Sequence, residues 1–141
     1  AFREAFLARR CVVPADGFFE WVGPEGRRRP LWFHRPDGGL LLLAGLYESW
    51  YPVPDQRQRT FTIITTRPNE MMLPIHDRMP VVLSDEQADA WMNPNEQNPR
   101  SLKRLLAPPP DDWLAYRPVS PLLNTPKNDF ASLLEPYVEP G

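Results

Sequence analysis

Nineteen prolines are spread along 141 residues. Each fixes φ and removes a backbone N–H, so it stops helices and interrupts strand ladders. Such a chain is restricted to short elements joined by stiff loops, with few long helices. Apolar residues still make up 42% of it, enough to build a core rather than a disordered chain. The length suits one domain over residues 1–141. The longest apolar run, LLLLAGL at 40–46, falls far short of the roughly 18–20 residues that cross a bilayer. No basic segment leads an apolar stretch at the start, so no signal peptide is read there.

The opening AFREAF has helical rhythm, with Phe2, Ala5 and Phe6 at i, i+3 and i+4. A chain that begins inside a helix is expected to be the remainder of a longer protein. RCVVPADGFFEWV (10–22) reads as two short strands around an ADG turn. LWFHR (31–35) and LLLLAGLYESWY (40–51) read as a hairpin across PDGG, the second strand buried on both faces. Residues 52–59 read as a loop, TFTIITT (60–66) as a strand, 67–74 as a turn and MPVVL (79–83) as a strand. Ser84 with Gln87 forms a capping-box pattern ahead of a helix over 85–92. A short helix over 101–107, a last strand over 113–120 and an extended, proline-punctuated tail complete the chain. The expected fold class is α+β: a mixed, mostly antiparallel sheet or barrel with short peripheral helices.

Cys11 is the only cysteine, which excludes an internal disulfide and fits a reducing, cytoplasmic setting. Two widely spaced histidines and that cysteine fit no zinc spacing, so neither metal nor cofactor is expected. The net charge of −2 is unevenly distributed. Residues 1–67 hold ten arginines against seven acids, and residues 68–141 hold six cations against eleven acids, giving +3 and −5. Arginine presents a planar fork that suits phosphate, although solvated surface also accounts for such a bias.

Two ionisable residues stand out. In GFFEWV, period-2 alternation puts Glu20 on one face with Phe18 and Val22, away from Phe19 and Trp21. A carboxyl among apolar neighbours loses hydration and its pKa rises, which suits proton transfer. The alternative is an edge-strand glutamate facing water. In LPIHDRMP, His76 sits beside Asp77 and Arg78 between two prolines. That is either a stiffly held proton shuttle or a hydrogen-bonded turn histidine. His34 has no such setting and reads as a strand-surface residue. Arg3, Arg9, Arg10, Arg78 and the arginines at 27–29 are candidate phosphate contacts, and Thr65 ends a strand near His76. No Ser-His-Asp order, phosphate-cradling glycine loop or metal cluster is present.

RRCVVPADGFFEW (9–21) and FTIITTRPNEMMLPIHDRMPVVL (61–83) together resemble the signatures of the SRAP family of abasic-site processing proteins. VSPLLNTPKND (119–129) resembles the family's closing segment. The resemblance implies binding of single-stranded DNA at abasic sites, in a bacterium at the nucleoid. It implies a covalent thiazolidine crosslink, made by a cysteine directly after the initiator methionine. It also implies that Glu20 and His76 are catalytic, that Arg78 and Thr65 lie near the DNA backbone, and that Arg3 is a weaker match. The sequence opens without Met-Cys, and Cys11 lies inside a strand. The expectation is therefore a domain truncated at its N-terminus, whose parent protein crosslinks while residues 1–141 alone do not. A thiol peptidase acting on itself or on peptides, and a non-catalytic single-strand binder, are the competing readings.

Overall fold

A computed structural model describes residues 2–125, 129 and 131–138. The prolines set the scale of its elements, and the longest helix has eight residues. In chain order come α1 (Phe2–Ala8), β1 (Arg10–Ala15), β2 (Phe18–Val22), β3 (Arg29–His34), β4 (Leu41–Val53), β5 (Gln56–Ile63) and β6 (Thr65–Thr66). They are followed by β7 (Met79–Pro80), β8 (Val82–Leu83), α2 (Asp85–Met92), α3 (Pro99–Arg104) and β9 (Ala115–Pro118). The class is α+β with antiparallel pairing throughout, in open sheets rather than a barrel.

The apolar run at 40–46 organises the body. On one edge β4 pairs with β1, from Arg10↔Leu46 to Ala15↔Leu41. It also pairs with β8 at Leu42↔Leu83 and Leu43↔Val82, and further along with β5 from Gly45↔Ile63. Alternate side chains then enter two different cores. Ala44 and Leu46 pack with Phe6, Trp91 and Leu102 under the helices. Leu41 and Leu43 pack with Phe33, Met72, Met79 and Leu114. That second core lies under the sheet β2-β3-β9.

The expected hairpin between β3 and β4 does not form. The PDGG turn does close, with the Gly38 N–H donating to the Arg35 carbonyl at 3.0 Å. However, β1 and β8 occupy both edges of β4 there, so β3 pairs with β2 and β9 instead. Residues 52–59 are not a loop, because β4 and β5 continue into a tight hairpin with Asp55 at φ 67°. Most of that hairpin is exposed. The strand expected over 79–83 is split at Val81. The Val81 N–H donates to the Ile64 carbonyl at 2.9 Å, and the Ala44 N–H donates to the Val81 carbonyl at 3.0 Å. The capping box on α2 is present in both directions. Helix α3 starts two residues early, at Pro99, because Asn98 caps it through Arg100 N–H. The tail is not simply extended: short 3-10 turns occur at Pro121–Asn124 and Ala131–Leu134. Residues 126–128, 130 and 139–141 of the expected tail lie outside the described residues.

Candidate active site

Strand β2 presents Glu20. It lies against β3 in the register Phe18↔Phe33 and Glu20↔Leu31. Phe18 stacks on Phe33 with centroids 5.1 Å apart, and Phe19 packs on Trp32 at 4.7 Å on the other face. Gly17 permits this approach. A Cβ there would sit 2.2 Å from the Phe33 carbonyl oxygen and 2.6 Å from the Trp32 ring. Trp21 Nε1 donates to Asn124 Oδ1 at 2.7 Å, and Asn124 Nδ2 donates to the Arg28 carbonyl at 2.9 Å. Both faces of β2 are thus held, and Glu20 is fixed half-buried between its aromatic neighbours. Loss of hydration pushes its pKa above the ordinary glutamate value, while the charge of His76 pulls the other way. The charge of His76 is thus felt at Glu20, 56 positions away in sequence.

His76 rides on the loop between β6 and β7. The neck of that loop is closed by Thr65↔Pro80 and Thr66↔Met79. Inside it, Asn69 opens a turn in which the Ile75 and His76 N–H groups both donate to the Met72 carbonyl, at 2.7 and 2.9 Å. His76 Nδ1 lies 3.0 Å from the Arg78 N–H donor and 2.9 Å from the Arg78 carbonyl oxygen. Neutral Nδ1 accepts from the first, whereas protonated Nδ1 donates to the second, with Asp77 Oδ1 3.4 Å away. Either arrangement leaves Nε2 as the nitrogen available for exchange with a substrate. The imidazole is exposed, which suits access.

Arg78 is held by Thr65. Its Nη2 donates to the Thr65 carbonyl at 2.7 Å and to Thr65 Oγ1 at 3.1 Å, and its Nε donates to the same hydroxyl at 3.2 Å. Thr65 therefore orients the guanidinium. Both residues line a cleft of about 390 Å³, whose wall on α1 is Phe2 and Ala5. Arg3 is exposed on the same helix but is not among the lining residues.

Other candidates take structural roles. Arg10 is not a free phosphate contact. Its guanidinium donates to the carbonyls of Phe6, Leu7, Trp91, Asn93 and Glu96, gathering the C-terminal ends of α1 and α2. Arg9 pairs with Glu48 at 3.0 Å. The Cys11 thiol faces Gly45, and burial raises its pKa, which disfavours the thiolate. His34 is half-buried at the end of β3, its Nδ1 2.8 Å from the Arg35 carbonyl oxygen. Sequence reading missed Gly17, Asn69, Asp111 and Asn124. Two of them carried a local signal: Gly17 in the ADG turn, and Asn69, an asparagine three residues before Met72 in the N-cap pattern.

The segments that deliver Glu20 and His76 fall within the match to the family model described as SOS response associated peptidase (SRAP), which covers residues 1–126. The chain belongs to the SRAP family. It is 42% identical over 139 residues to the abasic site processing protein YoqW of Bacillus subtilis, spanning 97% of this chain and 62% of YoqW. It is 30% identical to the abasic site processing protein HMCES of Rattus norvegicus, over 91% of this chain and 43% of that protein. A crystal structure of a Bacteroides thetaiotaomicron protein superposes with a TM-score of 0.86 at 27% identity, over 97% of this chain and 60% of that one. This SRAP chain thus spans about three-fifths of the length of the bacterial relatives it matches.

The field between the two groups has a measurable consequence. In His76→Ala the Glu20 carboxyl is expected to titrate at higher pH than in the parent, because the opposing positive charge is gone. Carboxyl ¹³C NMR reads this directly, and an unmoved Glu20 curve would separate the two groups.

Proposed function

We propose that the protein containing this chain captures abasic sites in single-stranded DNA as a covalent adduct. The charge of His76 bearing on the half-buried Glu20, with the guanidinium of Arg78 aimed by Thr65, carries the reading. The names of the relatives as abasic site processing proteins support the substrate class. The ring-opened abasic sugar presents an aldehyde. An amine adds to its carbonyl carbon, the resulting carbinolamine loses water to give an imine, and a thiol adds across C=N to close a thiazolidine. One water leaves overall. The amine and thiol are assigned to an N-terminal cysteine of the longer protein, since Cys11 has no free amine and its thiol is turned to Gly45.

Residues 1–141 supply the rest. Glu20, with its pKa raised by burial, takes the proton from the attacking nitrogen. His76 Nε2 delivers a proton to the departing hydroxyl. Arg78 holds a flanking phosphate.

The test is to incubate the full-length protein with a single-stranded abasic oligonucleotide. The expected product survives heating and has the summed mass less one water. Peptide cleavage without an adduct would favour the thiol peptidase reading, to which the family description points. Salt-dependent binding without an adduct would leave only a single-strand binder. Arg78→Gln is expected to weaken DNA binding about tenfold, the lower end for one charged hydrogen bond. The slope of log affinity against log salt should fall by about 0.7, and the rate at saturating DNA should change little. Filter binding across a salt series measures both, and an unchanged slope would remove Arg78 from the phosphate contact.

A further inference from the structure

We propose that Asn69 is a positioning residue for His76 and Arg78, acting as a brace between their loop and the proline-rich segment at 108–110. This rests on the adduct-forming reading above. Asn69 is a buried polar side chain, 9% exposed, and its polar atoms are all engaged. Its Oδ1 accepts from Met72 N–H at 2.9 Å, and its Nδ2 donates to the Pro109 carbonyl at 3.1 Å. Its backbone N–H donates to Met79 Sδ at 3.3 Å, and its carbonyl accepts from Leu73 N–H at 3.0 Å. Asp111 Oδ1 adds a parallel tie, accepting from Met71 N–H at 3.2 Å.

These bonds reach the site in one step. Met72, fixed by Asn69, is the residue whose carbonyl accepts from His76 N–H at 2.9 Å. Met79, also held by Asn69, adjoins Arg78 and is fully buried. The side-chain amide thus ties the Met72 limb of the loop to a stiff segment 40 residues away, while the backbone N–H of the same residue holds the Met79 limb. Three consecutive prolines give that segment few backbone alternatives. Among the described residues no buried side-chain polar atom lacks a partner. Removing the Asn69 amide would leave both the Met72 N–H and the Pro109 carbonyl in need of one. The turn can meet that need only by shifting, and the shift moves His76. A displacement of about 1 Å costs roughly 100-fold in a positioned reaction.

The experiment compares full-length Asn69→Ala, Asn69→Ser and Leu102→Ala with the parent. It reads single-turnover adduct rate at saturating abasic oligonucleotide, DNA affinity, and the His76 imidazole NMR resonance, below the melting range of each variant. Asn69→Ala should lose about 100-fold in rate with affinity nearly unchanged and a displaced His76 resonance. Asn69→Ser, which can still cap Met72 N–H, should recover about tenfold of that. Leu102→Ala weakens the other core and should leave rate and resonance alone. A rate within twofold of the parent for Asn69→Ala would overturn the proposal, as would an equal loss in Leu102→Ala. If Asn69→Ala does not fold, Asn69→Ser decides: an unmoved rate and resonance would overturn the brace. If the parent itself forms no adduct, the functional reading fails. The His76 resonance then still judges the brace, which falls if the resonance stays put.

Discussion

Glu20→Gln is expected to fold and bind abasic DNA, yet to form the adduct about 1,000-fold more slowly, within the range of lost acid–base catalysis. The amide keeps the size of the side chain and its place opposite Leu31 on β2, so packing is preserved. What it loses is the ability to accept a proton. The pH profile should change with it. In the parent, the acidic limb of the rate follows ionisation of Glu20 and is shifted upward from the ordinary glutamate value, because burial disfavours the charged form. In Glu20→Gln that limb disappears. Stability should respond in the opposite sense. The folded-state pKa of Glu20 is raised above its unfolded value, so its contribution is complete below the unfolded pKa. It declines as pH climbs through the folded one. Glu20→Gln should abolish that decline. Quench-flow rates across pH with denaturant titrations would check both, and a parent-like rate in Glu20→Gln would remove the residue from the chemistry. His76→Ala should slow the reaction comparably, and the double variant little further, since residues acting on one proton path are not additive.

Gly17→Ala is expected to destabilise the fold by about 3 kcal/mol, at the upper end of overpacking effects. The added carbon would meet a backbone oxygen at 2.2 Å, and backbone cannot swing aside as a side-chain tip can. Either β2 lifts from β3 or β3 bends, and both disturb the Phe18–Phe33 stack beneath Glu20. Gly26→Ala makes the contrast. Its φ of 84° is unfavourable to alanine, but nothing lies within 4 Å, so about 1 kcal/mol of conformational cost is expected. Denaturation midpoints would separate the cases, and equal losses at the two positions would show that close approach at Gly17 is unimportant.

The local structure around the candidate residues was legible because its cues are local. Alternation in GFFEWV put Glu20 on the face away from Phe19 and Trp21, and the strand keeps that arrangement. The capping pattern at Ser84 gave the start of α2. What stayed hidden depends on partners distant in sequence. Nothing within LWFHR says that β4 already has neighbours on both edges, so adjacency along the chain was mistaken for pairing. Arg10 carries the same charge as any phosphate-binding arginine. Only the arrival of two helix ends around it assigns its donors to carbonyls. The opposite holds for Thr65, whose place beside Arg78 follows from the β6–β7 pairing rather than from any pattern of its own.

The backbone closure at Thr65↔Pro80 and Thr66↔Met79, backed by Val81 against Ile64, makes the loop that carries His76 a cassette. Its ends are fastened by main-chain atoms, which every amino acid except proline's missing donor supplies alike. Exposed side chains between those ends that make no bond to Thr65, Leu73 among them, can therefore be exchanged without loosening the seam, whereas Arg78 helps to fasten it. A lineage could retune what this loop handles while the sheets beneath it remain indifferent.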